Sequence, residues 1–85
     1  MDWFVYIVEC SEGSYYTGIT RDVEKRVTQH NGGAGGAKFT RVRRPVVLVF
    51  VEKTDTRSTA LKREYEIKQL TREKKQELVK NYMGR

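Results

Sequence analysis

The amino-acid sequence predicts an α+β fold: a three-stranded antiparallel sheet flanked by three helices, in the order β-β-α-β-α-α. Three observations carry that prediction. Residues 3–10 (WFVYIVEC) and 15–20 (YYTGIT) are aromatic and β-branched runs joined by Ser11-Glu12-Gly13-Ser14, the pattern of an antiparallel hairpin. Residues 46–52 (VVLVFVE) form one further apolar run of strand length. The rest of the chain holds three stretches with helical spacing and capping residues, and helices packed on a sheet make a layered domain that buries the apolar side of each.

Each element has a local reason. Gly18 inside the second strand weakens it, so it is expected to mark a bulge or a close approach by a ligand or another backbone. A helix starts near Asp22, where Thr20 or Asp22 can cap it and where Asp22 and Glu24 suit the positive end of the dipole. Val23, Val27 and His30 share one stripe of that helix, and Asn31-Gly32-Gly33 stops it. Residues 32–37 (GGAGGA) read as a flexible loop. It lacks the pattern of a nucleotide-binding P-loop: Ala37 precedes Lys38, Phe39 follows it, and the loop leaves a helix rather than a strand. The strand at 46–52 is nearly continuous in apolar residues, and burial on both faces is expected. After the turn Thr54-Asp55-Thr56, a helix over 57–70 places Ala60, Leu61, Glu64, Ile67 and Leu70 near one face. A second, over 72–82, is capped by Thr71 and turns Leu78, Val79 and Tyr82 inward.

The length of 85 residues predicts one domain spanning 1–85. A domain of this size hides only roughly 60–65% of its unfolded surface, so its core has little slack. The net charge of +6 is uneven. Residues 1–37 carry net −2, Lys38, Arg41, Arg43 and Arg44 add +4 within seven residues, and residues 57–85 carry net +5. A clustered basic excess suits a polyanion, because each neutralised phosphate releases counterions; a merely soluble surface is the plainer reading. One cysteine, Cys10, excludes an internal disulfide and a multi-cysteine metal site. The opening Met-Asp-Trp has no basic n-region, and the longest apolar runs are too short to span a bilayer. No membrane association and a cytoplasmic location are therefore expected.

Four features bear on chemistry. Tyr6 lies mid-strand, and Tyr16 sits ten residues on, across the hairpin. Arg26 and His30, spaced i, i+4, neighbour each other on one helix face. Glu64 sits on an apolar stripe where a hydrophobe is expected, and Lys38, Arg41, Arg43 and Arg44 crowd one loop. Taken singly, each has an ordinary explanation: core tyrosines, core-bordering polar groups, a snorkelling acid, a solvated loop. Together they supply the parts for cutting a phosphodiester: a base for water, positive charge on the phosphoryl oxygens, and help for the leaving oxygen. A tyrosine serves as base only if its pKa is pulled down from about 10 by Arg, His or a metal nearby. Arg26 offers a planar fork for phosphate oxygens. Glu64 can hold one hard cation that keeps several waters, whereas a lone histidine and a lone cysteine suit zinc poorly.

At this point the sequence resembles the GIY-YIG endonucleases, and most of all their small stand-alone bacterial members. Val5-Tyr6-Ile7 matches the first motif, with Phe4 and Val5 replacing its Gly and Ile. Tyr16-Thr17-Gly18 matches the second, with Thr17 replacing Ile. DVEKRVTQHN brings Arg26 and His30 to the family's Arg and His positions, AKFTRVRRPVVLVF resembles its loop and third strand, and ALKREYEIKQLTREKKQEL its closing helices, with Glu64 at the metal-binding glutamate. Asn81 is the sole candidate for the late Asn of many family nucleases.

The resemblance implies metal-dependent hydrolysis of nucleic acid, DNA ahead of RNA, in repair or recombination, with one Mg²⁺ or Mn²⁺. It implies Tyr6 as general base, Tyr16 orienting water or base, and Gly18 allowing close backbone approach. Arg26 would hold the scissile phosphate, His30 would bond a tyrosine hydroxyl and favour its ionised form, and Glu64 would bind the metal. Lys38, Arg41, Arg43 and Arg44 would contact nucleic acid. Two other readings use the same residues: a binding module without catalysis, and a nuclease subunit active only with a partner protein that supplies targeting.

Overall fold

The computed structural model describes residues 2–32 and 35–84. Strand β1 (Trp3–Glu9) is central, and its two edges and two faces organise the rest. It pairs antiparallel with β2 (Tyr15–Thr20) on one edge and β3 (Val47–Thr54) on the other, giving the order β2-β1-β3. The helices are α1 (Val23–Asn31), α2 (Lys38–Arg41), α3 (Arg57–Gln69) and α4 (Arg72–Met83). Among the described residues, no helix is long and apolar enough to cross a membrane.

Period-2 alternation along β1 divides the interior in two. Val5 and Ile7 point to one face and pack with Val49, Phe50, Ala60, Ile67 and Val79, so α3 and α4 cover that side. Tyr6 and Val8 point to the other and pack with Cys10, Val46, Tyr16 and Val27, under α1. The first face is a conventional apolar core: Val5, Ile7, Ala60 and Ile67 are fully buried. The second mixes apolar residues with buried His30 and Thr40.

The helix starts follow the capping residues in the sequence. Asp22 accepts from the Lys25 amide at 3.1 Å, Thr56 from that of Thr59 at 3.1 Å, and Thr71 from that of Lys74 at 3.2 Å, each cap worth about 1 kcal/mol. Asn31 does more than end α1. Its side chain accepts from the Val46 amide at 2.6 Å and donates to the Val46 carbonyl at 2.9 Å, pinning the chain entering β3 to the end of α1.

The structure corrects the sequence reading in four places. The third strand runs over Val47–Thr54 rather than 46–52; it is an edge strand paired only with β1, and its burial is uneven, with Val49 and Phe50 buried in one cluster, Leu48 packed on the other, and Val47 59% exposed. Residues 38–41, read as loop, form the single turn α2, which makes four helices. The apolar stripe of α3 is narrower than its pattern, since Ala60 and Ile67 are buried while Leu61 is 37% exposed. Gly18 is not at a bulge; the register shift in the sheet lies between Ile7 and Val8, toward β3. Residues 33 and 34 of the expected flexible loop lie outside the described residues.

Ile67 closes α3 onto Val5 and Ile7, so Ile67→Ala is expected to lower stability to urea unfolding by roughly 2–5 kcal/mol. A loss below about 1 kcal/mol would mean that this contact does not hold α3 on the sheet.

Candidate active site

The site is built outward from one close contact. Tyr6 and Gly18 are cross-strand partners. A Cβ at Gly18 would lie 2.6 Å from the Tyr6 hydroxyl oxygen and 2.8 Å from Cζ. The Tyr6 ring therefore lies flat across β2 in space that any other residue at position 18 would fill. The close neighbour expected at Gly18 is a side chain of the same chain, not a ligand or another backbone.

Crossing Gly18 brings the Tyr6 hydroxyl to α1. His30, on the last turn of that helix and fully buried, has Nε2 2.8 Å from the hydroxyl and Nδ1 2.8 Å from Thr40 Oγ1. Thr40 Oγ1 in turn donates to the Ala37 carbonyl at 3.0 Å. Tyr16 meets His30 edge-on with ring centroids 5.2 Å apart and lies 6.5 Å from the Tyr6 ring. Phe39 stacks on Tyr16 at 5.9 Å, and the Arg43 guanidinium sits 4.1 Å from the Phe39 centroid. The turn α2 is thus fastened to the site at two consecutive residues, Phe39 and Thr40.

Arg26 lies one turn before His30 on α1. Its Nη1 donates to Gln29 Oε1 at 3.1 Å and to the Gly35 carbonyl. Glu64 comes from α3, on the stripe of Ala60 and Ile67, with 19% of its side chain exposed and its carboxylate 3.3 Å from Lys68 Nζ. Both bear on Tyr6. Burial pushes the Tyr6 hydroxyl up to about 12; Arg26 opposes that by hydrogen bonding and positive charge, while Tyr16 and Glu64 add to it. The sequence reading expects a tyrosine pulled down from 10, and desolvation reverses the direction. His30 is likewise pushed down to about 4 by burial first, then by the positive charges of Arg26 and Arg44. At neutral pH the imidazole is uncharged. It offers Tyr6 a hydrogen-bonding nitrogen, not the positive charge that would favour a phenolate.

The four loop cations separate into two pairs. Lys38 and Arg41 are exposed on α2. Arg43 donates to the Phe39 carbonyl at 2.8 Å and faces Glu12 at 3.4 Å. Arg44 Nε donates to the His30 carbonyl at 2.6 Å, tying the end of α1 to the chain before β3. Thr40 is the residue missed by sequence reasoning: it is fully buried against His30, and no spacing rule relates positions 30 and 40 across a glycine-rich loop. Asn81 stands apart, lining a depression of about 440 Å³ with Phe50, Glu52 and Tyr82 that includes none of the residues above.

A β2-β1-β3 sheet between helices thus carries a buried Tyr–His pair beside an arginine and a partly buried acid. The chain belongs to the GIY-YIG family: residues 2–77 match the GIY-YIG catalytic domain. It is 62% identical over 77 residues to a UPF0213 protein of Staphylococcus aureus, covering 91% of this chain and 93% of that one. It is 56% identical over 78 residues to a UPF0213 protein of Desulfotalea psychrophila, covering 92% and 71%. Among solved structures, a UPF0213 protein from Bacillus halodurans superimposes with a TM-score of 0.59 at 47% identity, over 93% of this chain and 83% of that one. A protein from E. faecalis superimposes with a TM-score of 0.66 at 40% identity, over 100% and 90%.

Two measurements test this geometry. His30 is the single histidine, so its NMR titration is unambiguous. The unfolded chain protonates near pH 6.5 and the folded chain only near 4. Stability is therefore fully present above pH 6.5 and is lost as pH falls from there toward 4, by on the order of 3 kcal/mol in all. A folded-state midpoint near 6.5 would contradict the burial of His30. Gly18→Ala is expected to push Tyr6 off His30, losing about 1–3 kcal/mol in urea and shifting the histidine signals. Unchanged signals would mean that the contact is not limiting.

Proposed function

We propose that this protein is an endonuclease that hydrolyses phosphodiester bonds in DNA with one divalent cation, Mg²⁺ or Mn²⁺. The observation that carries the reading is the Tyr6–His30 pair, hydrogen-bonded at 2.8 Å beside Arg26 in a GIY-YIG domain. Water attacks phosphorus while Tyr16, on the less buried side of the ring cluster, orients it. Tyr6 accepts the proton of the water as its own passes to His30 Nε2, so no free phenolate with a pKa near 12 has to form. Arg26 binds a non-bridging phosphate oxygen. A phosphate there also cancels part of the positive charge that holds His30 down, making the imidazole a better acceptor as substrate binds.

The donor set suits a hard cation that keeps most of its water. Glu64 offers one partly exposed carboxylate, and among the described residues no cluster of three His, Cys, Asp or Glu could hold a metal. Glu64 would hold the ion, which when bound supplies positive charge for the leaving oxygen. Lys38 and Arg41, exposed on α2, are the cations placed to meet the nucleic-acid backbone. A second reading, binding without cleavage, draws on the tightly held proton of Tyr6 and the uncharged His30.

The purified chain, given branched, nicked and single-stranded DNA with Mg²⁺ or Mn²⁺, is expected to cut at least one of them. Arg26→Ala and Glu64→Ala should each lose on the order of 10²–10³-fold in rate. Chelation should stop cutting while leaving salt-sensitive binding in place. Binding that survives with no metal-dependent product selects the second reading, and equal cutting by wild type and both variants removes the assigned residues. Lys38→Ala and Arg41→Ala are each expected to reduce the salt slope of binding by about 1. An unchanged slope takes α2 out of the interface.

A further inference from the structure

We infer that Thr40 is a positioning residue that fixes His30 in the Nδ1–H tautomer, so that Nε2 is held as an acceptor for the Tyr6 hydroxyl proton. The inference rests on the proposed role of His30 and deepens it by identifying what sets the direction of proton movement.

Inside this buried cluster hydrogens and acceptors have to match. In the resting protein Tyr6 is 1% exposed, and His30 and Thr40 are 0% exposed, so the three groups pair with one another rather than with bulk solvent. Three hydrogens need acceptors: one on Tyr6, one on the neutral imidazole, one on Thr40. Thr40 Oγ1 sits 3.0 Å from the Ala37 carbonyl, an i−3 back-bond of the kind a threonine in a first helical turn makes. With its hydrogen placed there, the oxygen is left as an acceptor toward His30 Nδ1 at 2.8 Å. Nδ1 then carries the ring hydrogen, and Nε2 is a bare acceptor 2.8 Å from the Tyr6 hydroxyl. All three hydrogens are placed, and among the described residues no buried side-chain nitrogen or oxygen lacks a partner.

The opposite tautomer fails at the Tyr6 end. If Nε2 donated to Tyr6, Nδ1 would have to accept from Thr40, whose hydrogen would then leave the Ala37 carbonyl, and the phenolic hydrogen would lose its acceptor on His30. Arg26, which has only donors, offers the phenolic hydrogen no alternative acceptor. Thr40 is held at the other end by the turn α2, whose neighbouring residue Phe39 stacks on Tyr16. The short helix therefore sets both the ring orientation and the protonated nitrogen of His30.

Long-range ¹H–¹⁵N NMR of the single histidine reads the tautomer without reference to activity. The wild type is expected to show a protonated Nδ1 and an unprotonated Nε2. Thr40→Val, which removes the hydroxyl while keeping the branched shape, should move the population toward Nε2–H, and Thr40→Ser should restore the wild-type pattern. If cleavage is present, Thr40→Val should lower kcat on the order of tenfold to a hundredfold with KM little changed, a part of the roughly 10²–10⁴-fold that a positioned base supplies. An Nε2–H tautomer in the wild type overturns the inference even if Thr40→Val does not fold. So does a Thr40→Val protein that folds with the wild-type tautomer. Absence of cleavage by the wild type counts against the nuclease reading and leaves the tautomer result to stand by itself.

Discussion

The arrangement depends on the Tyr6 ring lying across Gly18. In an antiparallel pair the register fixes which residue of β2 lies under each residue of β1, and a slip by one would turn Tyr6 toward the opposite core. With the register set, only glycine leaves room for the ring, since a Cβ at position 18 would lie 2.6 Å from the hydroxyl oxygen. The ring then reaches past the sheet to His30, which positions α1, and through His30 to Thr40, which positions α2. A local steric fact at one backbone position thus orders three elements separated by up to 34 residues in the chain.

The two faces of the sheet divide the work of stabilisation and chemistry. The α3 and α4 side is apolar, and its burial of Val5, Ile7, Ile67 and Ala60 contributes stability in the usual way, at about 25 cal/mol per Å² of apolar surface. The α1 and α2 side spends buried space on Tyr6, His30 and Thr40, which a domain of 85 residues tolerates only when every polar atom is paired. The chain Tyr6–His30–Thr40–Ala37 meets that condition, and the neutrality of His30 is part of it. A charged imidazole in the same place, between Arg26 and Arg44, would be opposed by desolvation and by both guanidinium groups.

Much of this was legible in the sequence because it follows short-range rules. The hairpin, the α1 stripe of Val23, Val27 and His30, and the caps Asp22 and Thr71 obey spacing and capping chemistry that act within a few residues. Tyr6, Tyr16 and His30 do converge, and Arg26 and Glu64 both act on the Tyr6 hydroxyl. What the sequence withheld was long-range. The edge position of β3 depends on strand order, which the apolar run 46–52 does not encode. Thr40, and the use of Arg43 and Arg44 as internal ties, depend on where a glycine-rich loop delivers the chain. The upward shift of Tyr6 depends on how deep the ring sits, and a hairpin pattern specifies facing, not depth.

Arg26 links these points to the proposed reaction. In the resting protein its charge does two opposed things: it favours an ionised Tyr6, and it disfavours a protonated His30. Proton transfer from Tyr6 to His30 needs the first effect and is hindered by the second. An anionic phosphate on the guanidinium weakens both, but they do not matter equally. Tyr6 that accepts a proton from water as it gives one up never carries a full charge, so loss of Arg26's support is felt little there. His30 ends the step charged, so it gains the full benefit of a less positive surrounding. Arg44, bound to the His30 carbonyl, stays in place throughout and keeps the imidazole neutral until substrate arrives. On the proposed reading, the scissile phosphate itself makes the acceptor competent, and Arg26 is the residue through which it does so.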